Sequence, residues 1–209
     1  PIWKPVDTLS NDIVYKLRDK YSLKIGHAGT LDPFAEGVLI LCTGNKTKDI
    51  KKIHSFNKRY TAEIELGLMT DTLDRDGVVI LKKPVKLKSK ETIKKKLVSF
   101  KGKSLQSPPA FSAVRKNNIR LYSLARKDIF LRLKPREIYI KSIKLIEFKK
   151  NILIIDVICK SGTYIRSLAR DIAKELGTCG YLKALKRESI GEYQKNNCYS
   201  SDEVLKGLL

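Results

Sequence analysis

The chain has 209 residues, 42% of them hydrophobic, which suits one substantial core or one domain carrying a large insertion. Lys plus Arg outnumber Asp plus Glu by 43 to 22, and a net charge of +21 repels itself in the compact state, so a polyanionic partner is expected, nucleic acid before a membrane surface. No apolar run approaches the roughly 18 residues of a membrane span, and Cys42, Cys159, Cys179 and Cys198 with His27 and His54 assemble no zinc spacing, leaving reduced thiols and a cytoplasmic setting as the expectation.

Ser10 reads as a helix cap, with Ile13, Val14, Leu17 and Tyr21 on one face behind it. The stretch Gly26-His27-Ala28-Gly29-Thr30-Leu31-Asp32-Pro33 follows. Its glycines permit unusual backbone angles and Pro33 biases Asp32 toward an extended conformation. Asp32 is therefore an acid on a shaped loop, where catalytic groups concentrate; an ordinary Asx-type turn is the alternative. The apolar run 38–42 predicts a buried strand, and 45–53 a helix. Tyr60, Ala62, Ile64 and Leu66 alternate with Thr61, Glu63 and Glu65, a strand with Tyr60 on the core side. Residues 70–77 form a polar turn into a strand over 78–81. A calcium loop is rejected there, because the twelfth position from Asp71 is Lys82 rather than Glu. A short helix from Ser89 turns Ile93 and Leu97 inward.

Ser107-Pro108-Pro109 cannot be regular structure. A basic excursion over 104–127, carrying Phe111 and Tyr122 and ending in a short helix over 121–127, suits a loop that grips RNA, since bases stack on rings while cations hold phosphates. Strands over 138–148 and 152–159 flank a turn at Lys149-Lys150-Asn151. Ile165, Leu168, Ala169, Ile172, Ala173 and Leu176 mark one helix face, with Thr163 as its cap and Gly177 as its end. Arg166 then lies in the first turn beside Arg170 on the non-core side, a place where a cation is unfavourable unless an anion meets it. Residues 182–191 return as strand or turn, and Ser200 with Glu203 caps a final helix. No internal repeat or interdomain linker is visible.

Four segments in this order resemble the motifs of the TruB-type pseudouridine synthases. They are 26–39 with its Gly-His-Ala-Gly-Thr-Leu-Asp-Pro, Lys58-Arg59-Tyr60 with Leu66-Gly67 and Thr70-Asp71-Thr72-Leu73-Asp74, Ser107-Pro108-Pro109 through Ala113, and Lys160-Ser161-Gly162-Thr163-Tyr164-Ile165-Arg166 followed by 182–187. The resemblance implies an α+β fold, a central mostly antiparallel sheet flanked by helices with an inserted RNA-gripping thumb. The whole of 1–209 is then one catalytic domain, with no room for a full C-terminal RNA-binding module. It implies a tRNA pseudouridine synthase that flips the T-loop uridine at position 55, cleaves its glycosidic bond and rejoins the base through C5, as a monomer acting on the T-arm without metal or organic cofactor.

In that scheme Asp32 is the obligatory carboxylate and Arg166 the guanidinium that keeps it ionised. Tyr60 stacks on the target base or serves as a base at C2′, and His27 fills the space of the flipped uridine. Asp71 is a polar neighbour of the site, Leu185 lines the pocket, and Lys58 and Phe111 bind substrate. The chain departs from the pattern near its start, with Asp7 where glycine is usual and Leu9 where a small hydroxyl is common. The rivals are a non-catalytic tRNA-binding or RNA-folding protein on the same scaffold and a synthase acting on other RNAs.

Overall fold

The computed structural model describes residues 1–86, 89–111, 115–116, 119–120 and 134–207. In chain order the first half carries β1 (Ile2–Lys4), α1 (Ser10–Tyr21), β2 (Ile25–His27), β3 (Glu36–Leu39), β4 (Leu41–Thr43), a 3-10 segment (Gly44–Asp49), α2 (Ile50–His54), β5 (Lys58–Leu66), β6 (Leu68–Thr70), β7 (Val79–Lys82) and α3 (Lys90–Val98). The second half carries β8 (Gly102–Gln106), β9 (Arg115–Lys116), β10 (Ile119–Arg120), β11 (Arg136–Lys149), β12 (Ile152–Cys159), α4 (Ile165–Glu175), β13 (Gly180–Ile190), β14 (Tyr193–Gln194), a 3-10 turn (Lys195–Asn197), β15 (Tyr199–Ser200) and α5 (Ser201–Lys206).

Among the described residues one sheet holds nine strands in the order β15-β1-β3-β13-β5-β12-β11-β8, with β14 added beside β13. Only the β1–β15 and β13–β3 pairings in it are parallel, so the expected mostly antiparallel α+β fold is what the chain adopts. The strict alternation of β5 buries Tyr60, Ala62, Ile64 and Leu66 on one face. There they meet Leu153, Ile155 and Val157 of β12, Ile93 and Leu97 of α3, and Ile165, Leu168, Ala169, Ile172 and Ala173 of α4. A smaller cluster seats Ile13, Val14 and Leu17 of α1 on Ile2, Ile25, Leu39 and Val204.

Several local expectations change. The apolar run 38–42 breaks at Ile40: β3 joins the large sheet while β4 turns away to pair with β2. The predicted helix over 45–53 is a 3-10 segment followed by the short α2. Ser10 does not cap α1; its hydroxyl donates to the Leu31 carbonyl at 2.9 Å and accepts the Leu31 N–H at 3.1 Å, tying the helix to the loop that bears Asp32. Thr163 does not cap α4 either, since its hydroxyl turns back to the Lys160 carbonyl. The N–H of Tyr164 is taken instead by the Gln106 side chain, 2.9 Å away at the end of β8, satisfying an orphan donor of the helix start from a distant strand. Ser89 and Ser200 do cap α3 and α5, the latter reciprocally with Glu203. Half of the predicted thumb, with Tyr122 and the helix over 121–127, lies outside the described residues.

Where β3 runs beside β13, Gly37 adopts φ +128°, and a Cβ there would lie 2.6 Å from the Arg187 nitrogen and closer still to its carbonyl oxygen. Gly37→Ala is therefore expected to cost about 3 kcal/mol or more, read as a lower urea midpoint at unchanged slope.

Candidate active site

The loop after β2 is shaped by its own backbone and pinned from below. Gly29 takes φ +107°, which an L side chain resists. The Asp32 carbonyl accepts from Ala35 N–H at 3.1 Å, closing a tight turn around Pro33. Arg187, buried in β13, donates from Nε to the Val38 carbonyl at 2.7 Å and from its two terminal nitrogens to the carbonyls of Gly29 and Thr30 at 3.0 and 3.3 Å. Lys4, also fully buried, donates to the carbonyls of Pro5, Thr8 and Pro33 at 2.8, 2.7 and 3.1 Å. Two cations thus hold the backbone on either side of Asp32. Asp7 adopts φ +56°, the left-handed backbone geometry that glycine favours.

Asp32 meets Arg166 side-on. Nε lies 3.1 Å from Oδ2 and Nη2 lies 3.1 Å from Oδ1, a two-pronged, charge-assisted pair. The rest of the guanidinium is engaged as well: Nη2 donates to the Phe111 carbonyl at 2.9 Å, and Nη1 to the Thr72 carbonyl at 3.1 Å and to Asp74 Oδ2 at 3.0 Å. The two terminal nitrogens thereby place all four of their N–H donors in hydrogen bonds, and Nε faces Asp32 Oδ2 as an ion pair. Arg166 is buried rather than displayed on the outer face of α4 with Arg170, whose guanidinium goes to Asp171 and the Ser107 carbonyl. The cation at the helix start is thus answered by two carboxylates.

Those carboxylates differ. The side chain of Asp74 is 7% exposed against 33% for Asp32. Asp74 also accepts from the Thr72 hydroxyl at 2.6 Å and the Asp76 N–H at 3.1 Å. Burial pushes its carboxyl upward, against the pull of Thr72, Arg166 and the Asp76 amide. Asp74 holds the guanidinium; Asp32 keeps a face open to solvent.

Tyr60 and Leu185 sit in the same buried cluster as Leu31, Phe34 and Ala35 of the Asp32 loop. Burial pushes the Tyr60 phenol up to about 12, although the neighbouring Arg187 guanidinium pulls it down. At pH 7 the phenol is therefore protonated, able to pack and to donate a hydrogen bond. His27 places Nε2 3.2 Å from Asn11 Oδ1, and its buried Nδ1 has no partner among the described residues. Burial, then Arg187, lowers its pKa and so favours the neutral ring.

The remaining sequence-named residues are placed differently from the expectation. Lys58 is buried and gives its ammonium to the carbonyls of His54 and Phe56 at 2.8 and 3.0 Å, so it braces the wall of the site. Phe111 enters through its carbonyl on Arg166. Asp71 Oδ1 accepts the N–H groups of Thr72 and Val78, both at 2.8 Å, and closes the 71–78 turn; the acid on the guanidinium is Asp74, three residues later. Asp74, Arg187, Lys4 and Gln106 went unassigned in the sequence. The signal for Asp74 was a second acid within the same quoted motif, and for Arg187 and Lys4 a cation amid otherwise buried strand residues.

Burial, followed by Arg187, brings the pKa of Lys4 and of Lys58 down to about 8 from 10.5. The unfolded chain therefore binds more protons than the folded one between these values, and stability rises with pH across that window. Unfolding in urea is expected to show a gain of about 2 kcal/mol or more between pH 8 and 10; a loss there would contradict the burial of both amines.

Among the described residues no group of three or more His, Cys, Asp or Glu side chains is placed to hold a metal ion, and no helix is long and apolar enough to cross a membrane.

A family model described as TruB family pseudouridylate synthase (N terminal domain) matches residues 16–165. The chain is 42% identical over 195 residues to tRNA pseudouridine synthase B of Dehalococcoides mccartyi strain BAV1, covering 93% of this chain and 65% of that protein. It is 39% identical over 208 residues to the protein of the same name from Parabacteroides distasonis, covering 96% of this chain and 88% of that one. In structure it resembles a chain of a Cbf5-Nop10-Gar1 complex, with a TM-score of 0.74 at 23% identity over 98% of this chain and 52% of that one, a likeness of fold. The chain spans about two-thirds of the length of the first relative and most of the second.

Proposed function

The chain belongs to the TruB family of pseudouridylate synthases, and from that premise we propose that it isomerises the T-loop uridine at position 55 of tRNA to pseudouridine. The reaction breaks the C1′–N1 bond, forms C1′–C5, releases the proton from C5 and leaves one on N1, so it needs no redox partner. It needs an anion beside the sugar–base junction, a dry wall for the detached pyrimidine, and a loop that can take a base from the stack. Asp32 supplies the anion, since its carboxylate is partly exposed whereas Asp74 is enclosed by Arg166, Thr72 and Asp76. Tyr60 and Leu185 supply the wall. Extruding the base costs a few kcal/mol of stacking, and His27, on β2 at the entry to the same loop, would fill the space it leaves.

The observation that carries this reading is the side-on pairing of Asp32 with a buried arginine whose two terminal nitrogens are fully hydrogen-bonded. Positioned this way, the carboxylate cannot swing away from the pocket without leaving a buried guanidinium short of its partner. The T-arm is favoured as the recognised element, a monomer as the working unit and the cytoplasm as the compartment. The net charge of +21 and the free cysteines suit an RNA substrate and a reducing setting. The test is incubation with a T-arm stem-loop and with the same RNA carrying cytidine at the target, followed by chemical mapping of pseudouridine. One modified position, lost on the change to cytidine, is expected; modification elsewhere, or none, would overturn the proposal.

A further inference from the structure

The 3-10 segment and α2 form a wedge between the two walls of the site. Their apolar side chains point inward, Ile50 and Ile53 packing with Phe56 against Ala28, Val38, Ile40, Cys42 and Ile190. Ile50 comes so near the catalytic loop that a Cβ on Gly26 would lie 2.7 Å from its Cδ1, and one on Gly29 would lie 3.7 Å from His54 Cδ2. On the opposite side His54 Nδ1 and Ser161 Oγ are 3.0 Å apart, which joins α2 to the turn leading into α4 and Arg166.

The outer side of this wedge is cationic. Lys46, Lys48, Lys51 and Lys52 are all exposed, and the one acid of the segment, Asp49, lies 3.7 Å from Lys46. Among the described residues Lys48, Lys51 and Lys52 have no carboxylate partner, and at spacings of three and four they share one face and repel one another. What sets this cluster apart is its place, on an element that packs on the Gly26–Gly29 loop and joins the turn before Arg166. Lys160, exposed beside Ser161, extends the same track.

We propose that Lys48, Lys51 and Lys52 form a phosphate-binding ridge that holds one strand of the RNA substrate against the catalytic loop. The inference rests on the reading of the chain as an RNA-modifying enzyme. Its place follows from the contacts: an RNA backbone on the ridge lies beside Gly26–Gly29 on one side and beside the turn before Arg166 on the other.

The test compares the parent, Lys48→Gln/Lys51→Gln/Lys52→Gln, and a control with equal loss of charge at the far end of the sheet, Lys144→Gln/Lys149→Gln/Lys150→Gln. The probe is a T-arm stem-loop titrated at several salt concentrations. The ridge variant is expected to bind about 10- to 100-fold more weakly near 0.1 M salt, with the slope of log K against log salt shallower by about 2–3, and the control to shift by less than about threefold. Ridge binding within threefold of the parent at unchanged slope, or a control that weakens as much as the ridge, would overturn the ridge. Because the readout is binding, a parent that binds RNA through the ridge yet modifies none would overturn the proposed enzyme and leave the ridge standing.

Discussion

Arg166→Lys is expected to slow isomerisation at least about a hundredfold and to lower stability by about 2–4 kcal/mol. The guanidinium reaches Asp32 through two nitrogens, Asp74, and the carbonyls of Thr72 and Phe111. An ammonium has three donors around a single point and cannot span two carboxylates and two carbonyls on different segments. Whichever carboxylate it keeps, the other loses a partner. Losing Asp74 leaves an enclosed acid uncompensated, while losing Asp32 frees the catalytic carboxylate to rotate. Single-turnover rates at saturating stem-loop, together with urea unfolding, check both halves. Near-parent turnover would show that the pairing is incidental to the chemistry.

Asp32→Asn is expected to separate what Arg166→Lys combines. The amide has nearly the same shape and its oxygen can still accept from Nη2 or Nε, while Asp74 continues to compensate the guanidinium. Because the Asp32 side chain is a third exposed, stability should move by only about 1 kcal/mol. Turnover should nevertheless fall by about 10⁴ or more, the scale seen when an essential reacting group is removed. Asp74→Asn should fall between these two, since it loosens the guanidinium without removing the reacting anion. The asymmetry follows from burial: one partner of the pair is part of the fold, and the other faces the substrate.

What was legible in the chain was whatever depends on period and on local turn chemistry. The alternation from Tyr60 to Leu66 and the helix-face spacing from Ile165 to Leu176 carried β5 and α4 directly, and Ser89 and Ser200 carried two caps. The misread ends were those whose polar groups find partners far away. Ser10 bonds Leu31 and the start of α4 takes Gln106, 58 residues earlier, so neither follows from neighbouring residues. The same holds in the site. Asp32 stood out from its turn and Arg166 from its place at a helix start, and the motif resemblance paired them. Nothing local separates Asp71 from Asp74, which differ in whether the side chain closes its own turn or crosses to a helix 92 residues on. Lys4, Lys58 and Arg187 look like surface cations in composition, yet each is buried because backbone carbonyls from bent loops surround it. Tyr60 could be placed on the core side from its pattern, but its weak acidity depends on how completely the fold encloses it.

The most direct test is a T-arm stem-loop bearing tritium at uridine C5, given in parallel to the parent and to Asp32→Asn at concentrations where both are shown to bind it. Release of one tritium per stem-loop by the parent, with none above background from the variant, is the predicted result. Release by the variant at a rate comparable to the parent, or a parent that binds the labelled arm and frees no tritium, would contradict it.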